Sequence, residues 1–141
     1  MKNALIEVKL EDGYNQLKGY KNVHIPTLFY YNQFLIVSDG VQARAGTITS
    51  QWSRFSEWKK IEDTDVVKEN MATHNTLFNG MMRKERIMDI INNFIMWSGD
   101  NKILAAYHQY FGVKKAIKST EKAYNERTGK AGILWHTQGS G

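Results

Sequence analysis

The chain has 141 residues, 42% of them hydrophobic, with 19 Lys and Arg against 14 Asp and Glu for a net charge of +5. Four Trp, seven Tyr and six Phe with a single Pro supply ample core for one soluble domain and exclude intrinsic disorder, which needs few aromatics and a high net charge. The absence of Cys excludes disulfide scaffolds, cysteine nucleophiles and thiolate zinc sites, and fits a cytoplasmic location.

Residues 3–10 alternate with period two. Ile6, Val8 and Leu10 fall on one face and Glu7 and Lys9 on the other, as in a strand buried on one side, with Asp12 and Gly13 closing it as a turn. A short helix over 14–20 follows, with Tyr14, Leu17 and Val23 as its apolar contacts and Pro26 forbidding continuation. Leu35, Ile36 and Val37 form a β-rich run that stops at Asp39 and Gly40, and 41–48 returns as the second strand of a hairpin. Residues 52–58 are aromatic but irregular, and the charged stretch 59–70 reads as a linker. From Arg83 onward Ile87, Ile90, Ile91, Phe94 and Trp97 recur at helical spacing, with Gly99 as the stop. A second helix over 104–124 places Ala106, Tyr110, Val113, Ile117 and Tyr124 in a buried stripe and Lys114, Lys118 and Lys122 on another face. The apolar run 131–135 reads as a buried strand.

Three constellations carry chemistry. Glu7 and Lys9, two apart on a strand, present a carboxylate and an ammonium side by side, the pairing a metal-dependent nuclease uses to hold Mg²⁺ and offset charge on the phosphate; a solvated salt pair has the same spacing. Gln16 and Tyr20, four apart on a helix, share a face from which an amide and a phenol reach one phosphate or simply pack on the sheet. The tail His136, Thr137, Gln138, Gly139, Ser140 and Gly141 follows an apolar strand with small residues, as at the front of a phosphate loop or in a plain Gly-Ser tail. The four His are too widely spaced for a local zinc motif. Glu7 and Lys9 stand where a signal peptide needs apolar residues, and no run approaches the roughly 18 apolar residues of a membrane span. A net positive balance favours a polyanion partner, since Lys and Arg set against phosphates release counterions.

In order along the chain, the sequence resembles the restriction (R, motor and nuclease) subunit of type I restriction enzymes. The resemblance rests on Ile6-Glu7-Val8-Lys9, on Tyr14-Asn15-Gln16-Leu17 through Tyr20, and on Ile25-Pro26-Thr27-Leu28-Phe29-Tyr30-Tyr31-Asn32. It continues through Ser38-Asp39-Gly40 and Ala105-Ala106-Tyr107-His108-Gln109-Tyr110 to Trp135-His136-Thr137-Gln138-Gly139-Ser140-Gly141. It implies an α/β chain: an incomplete PD-(D/E)xK nuclease sheet over 1–62, a connector with a helix over 63–100, and the first strand of a superfamily 2 helicase domain within 101–141.

By resemblance Glu7 is the second acid of the metal site, Lys9 its lysine, the Val8 carbonyl a further metal ligand, and Gln16 and Tyr20 the Gln-x-x-x-Tyr element beside it. Gln109 matches a glutamine that contacts adenine, and Thr137, Gln138, Gly139, Ser140 and Gly141 open the ATP phosphate loop. The first Asp of the nuclease and the loop's Lys and Ser are expected outside the 141 residues, so the piece by itself is expected to be inactive. The whole protein is expected to be an ATP-hydrolysing type I site-specific deoxyribonuclease, cutting double-stranded DNA with Mg²⁺ after translocation, with modification and specificity subunits as partners and no membrane. Two rivals are a non-catalytic DNA-binding module using Lys114, Lys118 and Lys122, and a small stand-alone nuclease taking its missing acid from Glu11 or Asp12.

Overall fold

The structure, a computed structural model, describes residues 9–135. The expected strand over 3–10 therefore lies outside the described residues except for its last two positions, and these mark a correction. Lys9 is extended (φ −72°, ψ 141°) and caps helix α1, Leu10–Gly19, which takes in Leu10, Asp12 and Gly13. Asp12-Gly13 is helix rather than turn because Leu10, Tyr14 and Leu17 recur at four and three residues and turn one stripe to the core. Glu11 and Asp12 in the first turn also complement the helix dipole. A π-helical turn, Tyr20–His24, and a 3₁₀ turn opening on Pro26 end the segment. Val23 is exposed rather than an apolar contact.

Strands β1, Phe34–Ser38, and β2, Ala43–Thr47, form the expected antiparallel hairpin, with Ile36 opposite Ala45. Asp39 shapes its loop: Oδ1 accepts from the Val41 and Gln42 amides at 2.8 and 2.7 Å, and Gly40 takes φ 92°. Those two backbone bonds, Gln42's first, hold the Asp39 carboxyl below its ordinary range. Alternate side chains of the hairpin serve two cores. Leu35 and Val37 join Tyr14, Phe29 and Phe55, while Ala43 and Ala45 join Trp58, Leu77, Met81, Ile90, Tyr110 and Phe111, with Phe34 and Ile36 packed against them. A strand with both faces buried shows a continuous apolar run, which is how Phe34-Leu35-Ile36-Val37 reads.

Residues 59–70 contain no helix or strand, as expected of a linker, yet they are tied down. Glu62 pairs with Arg83 and Arg86, and Asp63 with Lys115 at 3.0 Å. Helix α2, Thr73–Thr76, and the π turn Leu77–Met81 after it have no counterpart in the sequence reading, although Leu77 and Met81 are among the most buried side chains. Buried Thr73 replaces a missing ladder partner: its Oγ1 accepts from the Ala43 amide at 2.9 Å.

The helix expected from Arg83 through Trp97 is α3, Lys84–Asn93, and it stops four residues short of Trp97. Ile95–Ser98 (β3) and Asn101–Leu104 (β4) form a second hairpin instead, with Gly99 at φ 57° in its turn. A positive φ at the first of two loop residues suits the twist of an antiparallel pair, so the same glycine that ends a helix serves a hairpin. Helix α4, Tyr107–Asn125, begins three residues later than expected. Its buried residues are Tyr110, Phe111 and Ala123, while Val113, Ile117 and Tyr124 of the expected stripe are exposed. Of the buried residues, Tyr110 and Phe111 in the first turns join the core that holds Trp58 and Leu77.

The expected buried strand over 131–135 is not formed. These residues are irregular, Ile133 is 95% and Trp135 90% exposed, and Gly129 and Gly132 take φ 66° and 120°. A strand needs a neighbour for its amides and carbonyls, and no described strand lies beside this one. The described chain is thus α/β, with four α-helices and two two-stranded sheets. No described helix is long and apolar enough to cross a membrane.

Candidate functional site

Glu7 and Val8, and the tail His136 through Gly141, lie outside the described residues. Lys9 is exposed at the entry of α1. Gln16 lies on α1 and Tyr20 directly after its last residue, four positions apart and so on one face of the helical segment. Gln16 Nε2 donates to the Tyr20 hydroxyl at 2.9 Å, and the Tyr20 ring meets His24 edge-on at 6.0 Å. The amide and phenol expected to share a face are therefore bonded to each other. Lys21 turns to the other side, where Nζ donates to the Ile48 carbonyl at 2.7 Å. Its burial, and then the charge of Lys18, lower its pKa.

Glu11 and Asp12 occupy the exposed first turn of the same helix. Among the described residues no three His, Asp or Glu side chains gather as metal ligands.

Gln109 stands in the first turn of α4, and its Oε1 accepts from the Ala106 amide at 2.9 Å. It borders a cleft of about 620 Å³ between residues 49–56 and the β3–β4 hairpin. The walls are bonded together: Thr47 Oγ1 donates to the Lys102 carbonyl at 2.6 Å and the Lys102 amide donates to Thr49 Oγ1 at 2.7 Å. Arg54, Ser53 and Asn101 line this cleft, and the sequence reading passed over all three. The hydroxyl-rich run Thr47-Ile48-Thr49-Ser50-Gln51-Trp52-Ser53 was the signal available.

The lysine face of α4 is partly committed. Lys114 Nζ lies 3.0 Å from Asp89 Oδ2, which also accepts from the Tyr110 hydroxyl at 3.0 Å, and Lys122 pairs with Glu126 at 3.9 Å. Burial pushes the Asp89 pKa up, but bonds from Asn93, Lys114 and Tyr110 outweigh it and the net shift is downward. The bond to Asp89 raises the Lys114 pKa, and burial followed by the Asp89 bond raises that of Tyr110.

Residues 1–54 match the family described as the type I restriction enzyme R protein N terminus, and residues 108–141 match the SWI2/SNF2 ATPase family. Across its full length the chain is 39% identical, over 150 aligned residues, to the type I restriction enzyme HindI endonuclease subunit of Haemophilus influenzae. It is 35% identical over 93% of its length to the putative type I restriction enzyme MjaIXP endonuclease subunit of Methanocaldococcus jannaschii. It is 25% identical over 95% of its length to the type I restriction enzyme SauCOLORF180P endonuclease subunit of Staphylococcus aureus. The chain spans about 14% of the length of each of these relatives. With the R-protein N terminus matched at one end, the ATPase at the other, and endonuclease subunits aligned through the whole stretch between, the chain belongs to the type I restriction enzyme R-subunit family.

Proposed function

We propose that this chain is the region of a restriction subunit where a DNA-cutting domain, over 1–62, meets the start of an ATP-driven motor, over 101–141, through the connector 63–100. The observation that supports the cutting role is the Gln16–Tyr20 hydrogen bond at the end of the helix that Lys9 caps. It sets an amide and a phenol in fixed relation just beyond the proposed site. Glu7 and the Val8 carbonyl would hold Mg²⁺, whose chemistry when bound is to polarise the scissile phosphate. Lys9 orients the attacking water and offsets the negative charge that grows on the phosphate oxygens. Gln16 and Tyr20 donate to an adjacent phosphate and hold the strand in line. On the motor side Gln109 contacts adenine, and Thr137, Gln138, Gly139, Ser140 and Gly141 approach the phosphates of ATP with their backbone amides. The whole protein, on this reading, cuts double-stranded DNA after translocation, together with modification and specificity subunits.

The test is a chimera in which this chain replaces the matching segment of the Haemophilus influenzae relative, assembled with the other subunits of that system. Lys9→Ala and Glu7→Ala are expected to lower plasmid cleavage at least 100-fold while leaving ATP hydrolysis within two-fold. Gln16→Ala should lower cleavage about 10-fold, the size of one lost charge-assisted hydrogen bond. Undiminished cleavage by the Lys9→Ala chimera overturns the nuclease assignment.

A further inference from the structure

We propose that the cleft between residues 49–56 and the β3–β4 hairpin is a binding site for phosphate esters, separate from the Lys9 face. Its chemistry is one-sided. Among the described residues, Arg54 and Lys102 are the only charged ones that line it and no carboxylate borders it, in a chain with 14 acidic side chains. Hydroxyls and amides, including Ser53, Ser98 and Asn101, make up most of the remaining lining. Arg and Lys with Ser, Thr, Asn and Gln are the side chains that contact phosphodiester oxygens, the cations supplying affinity and the neutral donors supplying register.

Arg54 is the second observation. It is exposed in the cleft wall, and among the described residues its guanidinium forms no ion pair, whereas Arg44, Arg83 and Arg86 are all paired with Glu57 or Glu62. Its position is held by the 3₁₀ turn Trp52–Arg54, in which the Arg54 amide donates to the Gln51 carbonyl at 2.9 Å. On the facing wall the Lys102 ammonium is taken by a hydrogen bond to Gln33 and lies 5.6 Å over the Trp97 ring, neither of which lines the cleft, so Arg54 is the cation open to a ligand. The backbone of both walls is thus set before any ligand arrives, and the entropy cost of binding falls mainly on the Arg54 side chain. Two phosphate esters fit this chemistry, the backbone of a nucleic-acid strand and a free nucleotide, and the experiment separates them.

The 141-residue chain is titrated with a fluorescein-labelled twelve-residue oligothymidylate at low salt, and separately with ATP. Arg54→Glu and Asn101→Asp change exposed positions on the two walls, Lys68→Glu is an exposed control outside the cleft, and Gln109→Ala reports on the adenine reading. Circular dichroism melts confirm that each variant folds. The expected result is at least 10-fold weaker oligothymidylate binding by both cleft variants and less than two-fold change by Lys68→Glu. The slope of log affinity against log salt should also become shallower by about 0.7 or more for Arg54→Glu. Loss of ATP binding in the cleft variants with oligothymidylate unchanged supports the site with a nucleotide as its ligand. No binding of either probe, equal losses in Lys68→Glu, or unchanged affinity in both cleft variants overturns it. Loss of ATP binding in Gln109→Ala alone leaves the adenine reading standing and removes the cleft.

Discussion

Asp89 shows how one side chain can be read only with its partners in view. It lies on α3 and gathers Asn93 from its own helix and Tyr110 and Lys114 from α4, with Arg86 and Glu85 also bordering the same shallow depression. Its folded pKa lies below the ordinary 3.8, so its ionised form stabilises the fold above that value. This contribution disappears as pH falls through the folded pKa. At the alkaline end, Tyr110 and Lys114 have raised pKa values, and their contribution is lost as pH rises through them. Asp89→Asn is expected to cost about 1 kcal/mol at pH 7, a charged hydrogen bond's roughly 1.5–3 kcal/mol reduced by solvent screening, and less at a pH acid enough to protonate Asp89 in the folded chain. Urea melts at both pH values check this; an equal cost at both would remove the ionic account.

At the scale of elements, two glycines predict opposite signs. Gly46 in β2 lies under the Phe55 ring, where an added Cβ would stand 2.6 Å from two ring carbons. Phe55 is buried against Tyr14 and Trp52, so it has no free space to take up and Gly46→Ala should destabilise by about 1–3 kcal/mol. Gly112 sits within α4 with nothing within 4 Å of an added Cβ, and Gly112→Ala should stabilise by about 0.5–1 kcal/mol through helix propensity. Thermal melts of the two variants side by side test both; a shift in the same direction would contradict this packing. The same comparison explains α3. Its apolar spacing continues past Asn93 to Phe94 and Trp97, but the chain there gains more from pairing Ile95 with Leu104 and laying both on the core.

For the whole molecule, the position of the free cations decides between an α4 lysine interface and the cleft. Lys114 is held by Asp89 and Lys122 by Glu126, and exposed ion pairs of this kind leave little net charge for a phosphate. Lys118→Glu with Lys122→Glu is expected to change oligothymidylate affinity less than three-fold at 150 mM salt, measured by fluorescence anisotropy. A loss beyond 10-fold would restore the lysine-face module as the DNA contact.

Local pattern was sufficient for the first hairpin, for α3 and for α4, since a short apolar run between turn residues and a 3.6-residue period are set by the backbone itself. The ordered motifs from Glu7 to Gly141 were likewise sufficient for the family. Gln16 and Tyr20 could be placed on one helix face from their four-residue spacing, and the structure bonds them to each other, whereas Lys9, read as strand, caps the helix instead. Other features depended on contacts between distant residues. The turn at Asp12-Gly13 became helix because Leu10, Tyr14 and Leu17 found a common core. Val113 and Ile117 were left exposed because α4 lays Tyr110 and Phe111, not the expected stripe, on the core. Leu77 and Met81 were buried by a segment too short to show a period. The cleft joins Arg54 to Lys102, which are 48 positions apart. Periodicity reports which side of an element is apolar; which neighbour meets that side, and where a charge is left without a partner, is decided only when the chain closes on itself.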